Sequence, residues 1–189
     1  MTEMITVVSG LPRSGTSLMM KMLDAAGIHP VQDGIREADE DNPKGYFELE
    51  KVKKLKEDSS WMPEAKGKAI KVISQLLFDL PAGFDYRIIF MRRNIEEILA
   101  SQKKMLVRRG TFKEGGPTDA QMREIMLKHV TQVLGWVEKQ EGMKLLAVSY
   151  NEMFTKPEEH ISRISEFLGG LDQDAMAGTI DPALYRNRK

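Results

Sequence analysis

Residues 5–26, ITVVSGLPRSGTSLMMKMLDAA, leave few folds open to the chain. Ile5 to Ser9 is a short, β-branched apolar run, the pattern of a strand buried on both faces of a parallel sheet. Gly10 and Gly15 then frame a tight turn, and Thr16 to Ala26 reads as a helix ended by Gly27. The alternation continues down the chain. KAIKVIS, RIIFM and KLLAVSY are further strand candidates. Asn94 to Arg109 reads as a helix capped by Asn94, with Glu96 and Glu97 in its first turn. Between Thr118 and Gln140, Met122, Ile125, Met126, Val130, Val133, Leu134 and Val137 form a one-face helical stripe that an internal core accounts for. Thr155-Lys-Pro-Glu158 predicts a capping box opening a helix through Leu168, which Gly169 and Gly170 end. Strands alternating with helices predict an α/β fold of three layers, a central parallel sheet with helices on both faces. Ligands on such sheets bind beyond the carboxyl ends of the strands, where the Gly10–Gly15 turn lies.

One stretch breaks the alternation. Residues 30–67 are polar, charged and rich in turn residues, and a loop of that length in a compact domain is usually functional or disordered. The GYFE stretch and Trp61 argue against full disorder. With 189 residues the expectation is one domain, 1–189, carrying this long segment at 30–67.

Charge and composition exclude several functions. The 28 basic side chains balance 28 acidic ones, so any anion site must be built locally, and neither nucleic acid nor membrane is an expected partner. No run approaches the roughly 20 apolar residues of a membrane span. The N-terminal MTEMITVVSG has no basic region followed by a long apolar stretch, so a cytoplasmic location is expected. Cysteine is absent, which removes disulfides, thiolate metal sites and cysteine nucleophiles.

The Gly10–Gly15 turn carries the chemistry. Its backbone N–H groups and the helix N-terminus form an anion nest, Gly15 permits close approach of a phosphate, and Thr16 and Ser17 add hydroxyl donors. A Walker lysine would precede the hydroxyl residue that holds magnesium; here Thr16 occupies the lysine position. Arg13 supplies a planar fork of donors instead. No aspartate closes an apolar strand to hold magnesium. The residues point to a phosphate anhydride other than ATP, bound without a metal.

GLPRSGTSLMMKMLDA resembles the 5′-phosphosulfate loop of sulfotransferases that use 3′-phosphoadenosine 5′-phosphosulfate, in the arginine-containing form of tyrosylprotein sulfotransferases and many bacterial members. The resemblance implies a P-loop NTPase-like sulfotransferase fold, an enzyme, and donor binding by Gly10, Pro12, Arg13, Ser14, Gly15, Thr16 and Ser17. The family reads the 3′-phosphate with an arginine after a strand and a serine eight residues on; IIFMRRNIEEILASQ offers Arg93 and Ser101, with Arg92 able to exchange roles with Arg93. VSYNEMFTKPEEHISRISEFLGG resembles the family's strand–YEDL–DP–helix–FLG signature, a structural segment in which Phe167 and Leu168 are core. Cytosolic animal members close over the cofactor with a glycine- and lysine-rich C-terminal segment. DPALYRNRK has no such glycines; Tyr185, Arg186 and Arg188 could substitute, and a solvated tail is the expectation.

The implied product is 3′,5′-ADP, and the acceptor is a small molecule, glycan or peptide with a hydroxyl or amine. A P-loop nucleotide kinase or NTPase, or a non-catalytic nucleotide-binding relative, is the alternative. Arg13 would neutralise charge on the leaving phosphate, and Lys71 either projects toward the sulfuryl group from a strand end or faces solvent. The base that takes the acceptor's proton is a glutamate soon after the first helix in arginine-loop relatives. Asp33, one residue out of register, and Glu37 are the candidates here. Glu37, Asp39, Glu40 and Asp41 form a solvated loop face or, as the alternative, a metal site. His29 reads as a helix-end residue, and His129 and His160 as structural. Tyr46, Phe47 and Trp61, with Pro43 and Gly45 shaping the turn, either line the acceptor site or fasten the segment to the domain.

Overall fold

The computed structural model describes residues 4–35, 46–181 and 185. Four strands, β1 (Ile5–Gly10), β2 (Ala69–Lys71), β3 (Tyr86–Arg92) and β4 (Met143–Ser149), form one sheet in the order β2-β1-β3-β4. Every pairing is parallel. The helices are α1 (Thr16–Ala25), α2 (Ile95–Arg108), α3 (Asp119–Val137), α4 (Pro157–Phe167) and α5 (Gln173–Ala177).

Strand side chains alternate between two cores, as a period of two requires. Ile5, Val7, Ile70, Ile88 and Phe90 face one side and meet Val133 and Val137 of α3. Val8, Ala69, Ile89, Met91 and Val148 face the other and meet Met19, Met22 and Leu23 of α1 and Ile161 and Ile164 of α4. Each fully buried side chain of this kind contributes about 1.5–3 kcal/mol. The α/β three-layer expectation is therefore met. Ile98 and Leu99 of α2 join Leu11 and Met126 in a third, smaller cluster that ties α2 to α3 and to the first loop.

Register sets the location of the site. Val8 pairs with Lys71, Gly10 with Met91, and Arg92 with Ser149. The carboxyl ends of all four strands thus reach one edge, and the loops after β1, β2, β3 and β4 share it.

Three local expectations change. The capping box at Thr155 does not form: Lys156 is the N-cap without a side-chain cap, and Thr155 Oγ1 donates to the Glu152 carbonyl at 3.3 Å. Pro157 starts the helix unaided, because its fixed φ suits the first turn. The α3 stripe is not wholly absorbed by the core, since Ile125 is 56% exposed while Met126, Val133 and Val137 are buried. And the 30–67 segment is partly core. Val52, Leu55, Trp61, Met62 and Ala65, carried on two short 3-10 turns (Glu50–Lys54 and Met62–Ala65), pack on the α3 face.

Candidate active site

The loop from β1 to α1 is shaped by what it excludes. Gly10 and Gly15 have φ of 149° and 99°, in the region that favours glycine. A Cβ on Gly10 would sit 2.6 Å from the Met91 carbonyl oxygen, and one on Gly15 would sit 2.7 Å from Tyr150 Cε2. Arg13 lies at φ 75°, a conformation that costs a non-glycine residue of order 1–3 kcal/mol and that clusters at functional sites. No side chain caps α1, so its first N–H groups face the space the loop encloses. The Ser9 and Ser14 hydroxyls are buried without a hydrogen-bond partner. Such an atom costs about 1–3 kcal/mol. Ser14, within the turn itself, fits a site completed by an anion that accepts from its hydroxyl.

On the β3 side, the loop and α2 are stitched together. Arg13 Nε donates to Ser101 Oγ at 2.9 Å. Arg93 donates from a terminal nitrogen to the Arg13 carbonyl at 3.2 Å. Gln102 Nε2 donates to the Pro12 carbonyl at 3.3 Å. Arg13, and the Arg93 and Ser101 that the resemblance implied, therefore occupy one corner. Arg92, the alternate, is exposed.

Arg93 does not stand open to solvent. Its Nε donates to Glu97 Oε2 at 2.8 Å, with the two side chains 7% and 1% exposed. Asn151 Nδ2 and the Tyr185 hydroxyl donate to Glu97 Oε1 at 3.0 and 3.1 Å. The Arg93 guanidinium lies 4.6 Å from the Tyr150 ring centroid. Burial raises the Tyr150 pKa above its ordinary value, and Arg93 partly opposes this. Tyr150, Asn151 and Glu97 escaped the sequence reading. Glu97 passed for a first-turn acid that complements the helix dipole, and only its i, i+4 spacing from Arg93 hinted at the pair.

Tyr185 corrects the expectation of a solvated tail. Its ring stacks on Phe154 at 4.6 Å and meets Tyr150 edge-on at 5.6 Å. Arg186 and Arg188 lie outside the described residues.

On the β2 side, Lys71 closes its strand with its side chain 8% exposed, so it does not face solvent. Its Nζ donates to Ser17 Oγ at 3.2 Å and to the Tyr46 carbonyl at 2.8 Å, and lies 3.6 Å from Glu48 Oε1. Glu48 was missed because nothing in the sequence periodicity places the GYFE stretch against β2.

Asp33 sits elsewhere. Its two carboxylate oxygens accept from the backbone N–H groups of Glu50 at 2.6 Å and Ile35 at 3.0 Å. Those bonds hold its pKa below the ordinary carboxylate value and tie residue 33 to residue 50. An exposed, well-solvated acid in that state is a weak proton acceptor. Glu37, with Asp39, Glu40, Asp41, Pro43 and Gly45, lies outside the described residues. Trp61 is buried in the core and Tyr46 is buried beside Lys71, so both fasten the segment. Among the described residues no cluster of acids, histidines or cysteines could hold a metal ion. Nε2 of His129 meets Ser74 and Nε2 of His160 meets Glu152, while His29, exposed after α1, meets Asp24 through Nδ1. No described helix is long and apolar enough to cross a membrane.

The chain matches the sulfotransferase domain family over residues 5–182. No curated protein sequence matches it. Among solved structures it is similar to the sulfotransferase domain of the Synechococcus olefin synthase, with 15% identity and a TM-score of 0.60 over 98% of this chain and 80% of that one. A sulfotransferase from Mycobacterium tuberculosis aligns at 16% identity and a TM-score of 0.59, over 98% of this chain and 74% of the other. A mouse sulfotransferase complexed with PAP aligns at 19% identity and a TM-score of 0.54, over 95% of this chain but only 63% of the mouse protein. At such identities the likeness is one of fold.

Proposed function

Because the chain belongs to the sulfotransferase family, an enzyme class that moves sulfuryl groups, we propose that its donor is 3′-phosphoadenosine 5′-phosphosulfate and that its acceptor is a hydroxyl or amine of a small molecule, glycan or peptide. The observation that carries the reading is the Arg13–Ser101 hydrogen bond with Arg93 on the Arg13 carbonyl. It joins two strand-to-helix corners, so one site can hold both phosphorylated ends of an adenosine. The orphaned Ser14 hydroxyl and the glycine-only cradle support the same fit. PAP in the mouse neighbour supports a 3′,5′-bisphosphorylated adenosine. A nucleotide kinase is disfavoured, since Thr16 stands where its lysine would be.

Bound there, the donor supplies a sulfuryl group on a phosphate leaving group. The α1 N-terminus, Thr16 and Ser17 hold that phosphate, and Arg13 offsets its developing charge. Arg93 and Ser101 hold the 3′-phosphate. Lys71, touching Ser17, brings positive charge to the opposite flank. Acceptors approach from this β2 side, where the 46–67 segment packs. Glu48, beside Lys71, takes the acceptor's proton; Asp33, committed to two backbone donors, does not.

Thermal unfolding with 3′,5′-ADP, against ATP and magnesium, tests the donor. At a hundredfold excess over the dissociation constant, binding adds about 2.7 kcal/mol, or roughly 5–10 °C for a chain of this size. Stabilisation by ATP and magnesium alone would refute the assignment. Mass spectrometry of candidate acceptors incubated with enzyme and donor then reads the sulfuryl adduct.

A further inference from the structure

The buried acid at the β3 corner has no part in the reaction as set out above. Glu97 is 1% exposed, and its two oxygens take hydrogen bonds from three elements. Oε2 accepts from Arg93 at the end of β3, and Oε1 accepts from Asn151 after β4 and from Tyr185 beyond α5. Asn151 is fixed in turn: its Oδ1 accepts the Asn94 N–H at 2.9 Å, and its Nδ2 reaches the Tyr185 hydroxyl at 2.6 Å. Burying an arginine–carboxylate pair seldom stabilises a fold over a well-packed apolar pair. Stability alone is therefore a poor reason for an acid here. What the acid does impose is direction. With Nε held by Glu97, a terminal nitrogen on the Arg13 carbonyl and Tyr150 beneath the plane, the guanidinium has one orientation.

We propose that Glu97, held by Asn151 and Tyr185, is the positioning residue that aims Arg93 at the donor's 3′-phosphate and so sets the preference for a 3′-phosphorylated nucleotide. The inference rests on the donor assignment made above. It also gives Tyr185 a function: the residue beyond α5 reaches the donor corner through the same carboxylate. Two effects oppose each other when Glu97 is removed. Loss of a negative charge raises the local potential and would favour a 3′-phosphate. Loss of the hydrogen-bonded frame lets Arg93 turn away and disfavours it. A phosphate on a rigid guanidinium gains from bidentate geometry, which a screened point charge does not replace. Loss of aim wins, and selectivity falls.

The experiment is calorimetric titration of the full chain with 3′,5′-ADP and with 5′-AMP, for wild type, Glu97→Ala, Glu97→Gln and Tyr185→Phe. Wild type should bind 3′,5′-ADP at least tenfold more tightly than 5′-AMP. If it does not, the donor assignment fails before the inference is reached. Glu97→Ala should cut that ratio at least tenfold while 5′-AMP affinity stays within threefold. Glu97→Gln, which keeps an acceptor for Arg93 Nε, should restore part of it. Tyr185→Phe keeps its stack on Phe154 and loses only the hydroxyl; it should lower the ratio two- to fivefold, and it decides the question should Glu97→Ala not fold. An unchanged or increased ratio in the folded variants, or equal loss of both nucleotides, overturns the proposal.

Discussion

Gly15→Ala tests the loop architecture most directly. Gly15 has φ of 99°, which a side chain adopts at a cost of about 1–3 kcal/mol. The added methyl would also overlap the Tyr150 ring, 2.7 Å from Cε2. That ring cannot swing aside cheaply. It is buried, lies 4.6 Å from the Arg93 guanidinium, and meets Phe154 edge-on at 5.1 Å. Overpacking of this kind costs about 1–3 kcal/mol more. The combined loss is about 4 kcal/mol, which lowers the melting temperature by roughly 8–16 °C at this chain length. The ring's share is separable in a double-mutant cycle. In a Tyr150→Ala background the clash is gone and only the backbone strain remains, so Gly15→Ala should cost about 1–3 kcal/mol there. Urea unfolding of the four proteins, in a stabilising osmolyte, gives the coupling energy. If the two losses add to within about 0.5 kcal/mol, the ring does not press on Gly15 and the reasoning is wrong.

Three further outcomes are expected. Glu97→Leu leaves Arg93 buried without its carboxylate and should cost about 3–5 kcal/mol in urea unfolding, while Arg93→Met with Glu97→Leu should recover most of it and lower 3′,5′-ADP affinity to about that of 5′-AMP. Glu48→Gln should lower kcat by about 10²–10⁴ and leave 3′,5′-ADP affinity nearly unchanged; a normal kcat removes Glu48 as the base. Desolvation beside Ser74 lowers the His129 pKa below its ordinary value near 6.5. A depressed histidine is protonated more readily in the unfolded chain. Stability should therefore fall as pH drops through about 6.5 toward the folded value, level off below it, and show no such step in His129→Gln, as read by melting temperature against pH.

Elements set by local physics could be read directly from the chain. β1, α1 and the turn between them follow from Ile5–Ser9, the two glycines and the helical run after them, because each signal sits within a few residues of the structure it specifies. The Asn94 cap is equally local, accepting from the Glu96 N–H two residues on. Arg13 stood out by its place in the Gly10–Gly15 turn, and Arg93 and Ser101 came from the resemblance to the family's 3′-phosphate motif. What spacing could not reveal is who else stands beside them. Arg13 and Ser101 are 88 residues apart, as are Tyr185 and Glu97, and Lys71 lies 54 residues from Ser17. Asp33 came closest in position along the chain and proved to be a backbone tie, while Glu48 arrived beside Lys71 from a segment with no periodic signal. A parallel sheet brings the ends of distant strands to one edge, and loop residues meet there through tertiary packing that leaves no period in the sequence.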